Sequence, residues 1–143
     1  METFSNAVTV VLFYLGAVNA LLARFVGTCN QGDASRLFGI LITAILFAAA
    51  LMAMSFSTHR RGVLRAISLA FPLLAWHTIF SARLGYALLW QGASACEALE
   101  GVPYPSDGNE VFYGIAWPVV TIATWTGLLV LWLHRSSKPR STF

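Results

Sequence analysis

Four stretches of this chain, residues 7–26, 37–57, 66–90 and 111–133, are almost free of charge and each at least 20 residues long. A helix crosses the hydrocarbon of a bilayer with about 20 mostly apolar residues. Each stretch is therefore read as a transmembrane helix, and little chain is left for anything else. Composition agrees. The 143 residues are 57% hydrophobic and 10% charged, against about 45–50% and about 25% in soluble domains. Disorder is excluded, since it requires low hydrophobicity and high charge. The same balance argues against a soluble globule, because so few charges do not cover its surface. Two cysteines rule out a disulfide scaffold or a zinc module.

The connections set the expected fold class. Residues 27–36 and 58–65 are short loops, and 91–110 is a longer outer loop. Short loops make consecutive helices antiparallel neighbours. The expectation is an all-α integral membrane protein of one domain, residues 1–143, folded as an up-down-up-down bundle of four transmembrane helices. The first span is too long for a signal-peptide core and lacks a basic leader and an A-x-A site, so it is read as retained. No internal repeat relates the first two spans to the last two.

Orientation follows the basic residues of short loops. Arg60, Arg61 and Arg65 lie in the 58–65 loop, and Arg135, Lys138 and Arg140 follow the last span. Asp33, Glu97, Glu100, Asp107 and Glu110 fall on the opposite side. Both termini are expected in the cytoplasm, in a bacterial inner (plasma) membrane. The net charge of +3 comes from this topological asymmetry and gives no support to nucleic-acid binding.

Local chemistry marks the boundaries. Asp33 stands where it caps the second span. Ser94-Ala95-Cys96-Glu97 is a capping-box pattern, which predicts a short helix near 95–100 stopped by Gly101 and Pro103. Glu110 suits the first turn of the last span. Trp90, Tyr104, Tyr113 and Trp132 fall where interfacial aromatics belong. The Ala44/Ala48 and Ala49/Ala53/Ser57 ladders make the second span central to packing, and Ser81 with Gly85 forms a small-xxx-small pair in the third. Trp117-Pro118 predicts a kink in the fourth, with Thr121 and Thr124 placed either to meet the freed carbonyls or to point into a cavity.

Cys29 and Cys96 lie in the two outer loops. In an oxidising compartment they are expected to form a disulfide, which would tie the first hairpin to the loop before the last span. The four-span layout resembles membrane thiol oxidases and small multidrug transporters. Their key residues are missing, however. There is no C-x-x-C pair to relay a disulfide, and no Asp or Glu inside any span to carry a coupling ion.

The polar residues within the spans are the candidate site. Arg83 sits seven residues before Trp90, about 10 Å from the outer end at ~1.5 Å per residue. Arg24 and Arg36 lie at the outer ends of the first two spans. Asn19 and His77 complete the set. Together they outline an outer-half polar or anion-binding pocket, with the acids of the 91–110 loop closing over the arginines as the structural alternative. Trp76, Ile79, Phe80, Arg83, Tyr86 and Trp90 recur at helical spacing, a stripe suited to packing or lipid contact. His59 and His134 are far from His77 in depth, so one chain does not supply a bis-histidine haem.

No catalytic constellation, metal cluster or phosphate loop appears. The expected function is non-enzymatic: an accessory or interaction subunit, or a partner- or lipid-binding protein, with a disulfide-tied outer cap. No cofactor is expected. The alternatives are a quinone- or redox-linked protein using the His77/Arg83 region, including a haem shared with a partner, and a small oligomeric transporter. The expected partners are the bilayer and another membrane protein or a second copy.

Overall fold

The computed structural model describes residues 2–25, 34–57, 59–103 and 110–133. Among them the chain is helical, without strands. The elements are α1 (Glu2–Phe25), α2 (Ala34–Ser55), α3 (Arg60–Ser68), α4 (Phe71–Trp90), α5 (Ala95–Glu100) and α6 (Glu110–Leu133). Helices α1, α2 and α6 are each long and apolar enough to cross a membrane, and α3 with α4 meets that test only as a bent pair.

The helices pack as two antiparallel pairs. Ser5 of α1 donates a hydrogen bond to the Ala53 carbonyl of α2, and near their other ends Asn19 donates to the Gly39 carbonyl. In the second pair, Phe71 of α4 lies against Trp125 of α6, and Gly85 against Gly114. The pairs join where α2 runs beside α6, with Leu51 against Gly127. Helix α2 packs against α1 and α6, while α1 packs against α2, α3 and α4, so α2 is not singled out as the centre its alanine ladders led one to expect. The buried stripe of α2 is Ile40, Thr43, Phe47, Ala50 and Met54. The Ala44/Ala48 ladder lies off that stripe, and Ala48 is exposed.

The third span departs from expectation. Residues 66–90 do not form one helix, and the 58–65 segment is not simply a loop. A helix begins at Arg60, ends at Ser68, and restarts at Phe71 after a bend of 64°. Pro72 explains the break. It has no N–H to give the Ser68 carbonyl, and its ring crowds that carbonyl, whereas it is tolerated in a helix's first turn. The Ala70 amide turns back onto the Ile67 carbonyl, and the Leu74 amide bonds to the Ala70 carbonyl to start α4. The nine residues of α3 are amphipathic. Val63 and Ile67 are buried, while Arg61 and Arg65 are exposed. Arg60 turns back to donate to the carbonyls of Ser55 and Ser57, which satisfies the C-terminal end of α2 with a cation.

The short helix predicted near 95–100 is present. The Ser94 hydroxyl accepts from the Glu97 amide at 3.1 Å, and Gly101 ends α5 at a φ of 70°. Helix α2 begins directly after Asp33, the expected cap, which lies outside the described residues.

Close backbone contact is concentrated at glycine. A Cβ at Gly85 would lie 2.8 Å from the carbonyl oxygen of Gly114. That carbonyl is the acceptor Pro118 leaves without its helical N–H, because Pro has none to give. Thr121 and Thr124 do not repair it. Thr121 donates to the Trp117 and Pro118 carbonyls, and Thr124 to that of Val120. Gly85→Ala is expected to push α4 from α6 and destabilise by about 1–3 kcal/mol, the usual cost of overpacking. Gly62, with nothing within 4 Å of its Cβ position, serves as the control, and Gly62→Ala should be neutral or mildly stabilising. Thermal unfolding in detergent checks both, and an unshifted Gly85→Ala midpoint contradicts the close α4–α6 contact.

Candidate functional site

The buried residues sort by depth. At the end where α2 gives way to α3, one apolar cluster joins Phe13, Phe47, Met54, Ile67, Leu74 and Leu128. Toward α5, a second joins Ala20, Ile40, Leu84, Leu88, Ala95 and Trp117. In each long helix, polar residues lie between the two. Asn19 stands between Ala17 and Ala20 on α1, and Thr43 between Ile40 and Phe47 on α2. His77 and Ser81 stand between Leu74 and Leu84 on α4, and Thr121 and Thr124 between Trp117 and Leu128 on α6. A buried polar layer thus crosses the middle of the fold.

Hydrogen bonds show how the layer is held. Asn19 donates from Nδ2 to the Gly39 carbonyl at 3.0 Å and to Thr43 Oγ1 at 2.9 Å. Thr43 in turn donates to the same Gly39 carbonyl. The expectation that Asn19 bonds across helices is met. Such a bond between membrane helices contributes about 0.6–1.7 kcal/mol. His77 is buried, with its ring edge-on to Trp117 at 4.6 Å and tilted against Phe80 at 6.4 Å. Ser81 donates to the Thr78 carbonyl within α4, and Thr78 Oγ1 accepts from Trp125 Nε1 of α6 at 3.0 Å. The layer sets register: sliding one helix past another would move these groups into apolar surroundings, where an unmatched polar group is costly.

Arg83 does not join this layer. It is exposed on the outer face of α4, one of the stripe foreseen in the sequence. Trp76 stacks on Phe80 at 6.2 Å and Tyr86 on Trp90 at 6.3 Å, so Arg83 lies in register between two ring pairs. Among the described residues, none accepts a hydrogen bond from its guanidinium. The pocket expected from Arg83, Arg24, Arg36, His77 and Asn19 is therefore not assembled among the described side chains. Asn19 and His77 face inward and Arg83 outward. Arg24 and Arg36 belong to α1 and α2, but their side chains lie outside the described residues, as do Cys29, Asp107 and His134. Glu97 and Glu100 are exposed on α5, and Cys96 is buried in its first turn.

Thr43, the most deeply buried polar residue of the layer, carries no mark in sequence beyond being a small hydroxyl in an apolar run. The usable signal was its shared depth with Asn19, His77 and Thr121. No group of three or more His, Cys, Asp or Glu residues is gathered among the described residues. Compared with known proteins, the chain matches no protein-family model, no curated protein and no solved structure.

Proposed function

We propose that this chain is a non-enzymatic interaction subunit of a bacterial inner membrane, with both termini cytoplasmic. In this reading the outer stripe of α4 docks a transmembrane helix of another protein. The observation that carries it is Arg83, exposed between stacked aromatic pairs on a helix of the membrane-spanning set. Facing acyl chains, a guanidinium costs a few kcal/mol, relieved only in part by reaching toward the interface. A carboxylate on a neighbouring helix removes that cost through a bidentate pair, and flanking aromatics are the usual anchors of such contacts. A second copy does not supply the acid at depth, because no span of this chain contains Asp or Glu. The Trp125–Thr78 hydrogen bond and the close approach of Gly85 to Gly114 hold α4 against α6 and give the stripe a fixed presentation.

Orientation is supported by the six basic residues in the 58–65 segment and after the last span, set against the acids of the other two loops. The outer cap is proposed to be tied by a Cys29–Cys96 disulfide. Supporting this are the burial of Cys96 and the lack of a free thiol among the described residues. The chain has two cysteines, so Cys29 is the one intramolecular partner. The bond would contribute about 2–4 kcal/mol. Alkylation of natively extracted protein before and after reduction should label thiols only after reduction. Two thiols labelled without reductant would contradict the bond.

The docking reading is tested by mild extraction of the tagged chain and mass spectrometry of what accompanies it. The expected companion carries an Asp or Glu within a transmembrane segment. Arg83→Leu should lower its recovery at least about tenfold, as loss of one member of a buried charge pair does, with the unfolding midpoint unchanged. Arg83→Lys should restore part of the recovery, and neutralising the companion's acid should reproduce the loss. A companion retained by Arg83→Leu, or none at all, overturns the reading.

A further inference from the structure

The bend between α3 and α4 opens a groove on the side of the molecule away from the Arg83 stripe's outer end. Because α3 leaves the axis of α4 by 64°, it does not follow α6, and a cavity of about 390 Å³ remains between α3 and the last turns of α6. Leu64, Phe71, Trp125 and Trp132 wall it, and Arg65 and Ser68 stand at its polar edge. The wall is preformed. Trp125 is fixed by its Nε1 bond to Thr78 and by edge contact with Phe71 at 5.5 Å. Trp132 is 57% exposed, near the end of α6, as an interfacial ring would be.

We infer that this groove binds one anionic glycerophospholipid of the adjacent leaflet, with its phosphate on Arg65 and an acyl chain along the tryptophans. Charge complementarity selects this occupant. Arg61 and Arg65 are both exposed on α3, whereas Arg60 is engaged with the end of α2. An acyl chain gains little by leaving lipid for an apolar groove, since the two are equally apolar. Preference among lipids therefore has to come from the headgroup. A guanidinium grips a phosphate through two parallel N–H bonds, and a neutral, zwitterionic headgroup offsets that attraction with its own ammonium. The apolar walls give a free phosphate ion nothing to hold.

The test uses the full chain in mixed micelles containing phosphatidylglycerol or phosphatidylcholine with brominated acyl chains. The fluorescence quenching that disappears in Trp132→Phe is the groove's signal. Phosphatidylglycerol should reach half-maximal quenching at a mole fraction about fivefold lower than phosphatidylcholine, the preference one basic residue confers near a membrane surface. Arg65→Gln should remove most of that preference and Arg65→Lys keep part of it, with both variants monodisperse and unfolding as the parent does. Because Arg65 is exposed, Arg65→Gln is compatible with folding, and Arg83→Gln is the control that leaves the preference intact. Equal quenching by the two lipids overturns the inference. So does a preference that survives Arg65→Gln, or displacement of the lipid by millimolar inorganic phosphate, which would make this a phosphate site.

Discussion

Where acyl chains surround a helix, contact with another helix expels no water, so apolar surface alone gives the contact little drive. What remains is close backbone approach and hydrogen bonding between helices. This fold uses both at identifiable places. Gly16 meets Phe47, Gly39 meets Ala23, and Gly85 meets the Gly114 carbonyl, each at a distance a Cβ would violate or strain. Between those contacts lies the polar layer of half-buried Asn19 and buried Thr43, His77, Ser81, Thr121 and Thr124. The Asn19 bonds fix the register of α1 on α2, the Trp125–Thr78 bond that of α4 on α6, and the glycines set the separation of the helices.

The break at residues 69 and 70 gives the molecule two unlike ends. Pro72 leaves the Ser68 carbonyl without its helical N–H, and the segment before the break folds as α3, which inserts Val63 and Ile67 into the core while keeping Arg61 and Arg65 outside. Tyr14 of α1 donates to the Ala66 carbonyl at 2.9 Å, anchoring α3 across the gap. At the other end α5, capped by Ser94 and Gly101, seats Ala95 among the helices of the second cluster. The basic end is thus a tilted amphipathic helix beside a groove, and the other end is a short capped helix bearing acids. One proline separates the exposed basic face of α3 from the aromatic stripe that carries Arg83 on α4.

Much of the fold was legible in the sequence because membrane helices announce themselves by length and apolarity. The starts and stops of α5 followed from Ser94 and Gly101, and the role of Asn19 from its polarity within an apolar run. Two features were not legible. Pro72 falls nearly two turns inside the expected third span, where apolar content masks the helix break. The direction in which Arg83 points depends on how α4 rotates about its axis, and that rotation is set by Gly85 and His77 packing against α6. Hydropathy counts an arginine alike on either face. Placing Arg83 beside Asn19 and His77 therefore followed from their similar depth, while the facing that separates them is a tertiary property.

The central claim is that α3 and α4 together make one bent crossing, so that the chain crosses four times and presents Arg83 at membrane depth. Reporter fusions after residues 62, 92 and 143 of the full chain measure this most directly. Four crossings place residues 62 and 143 on the same, cytoplasmic, side and residue 92 on the other. If the bent pair instead dips in and returns, residue 92 joins residue 62, and residue 143 appears on the opposite side. That pattern would contradict the account.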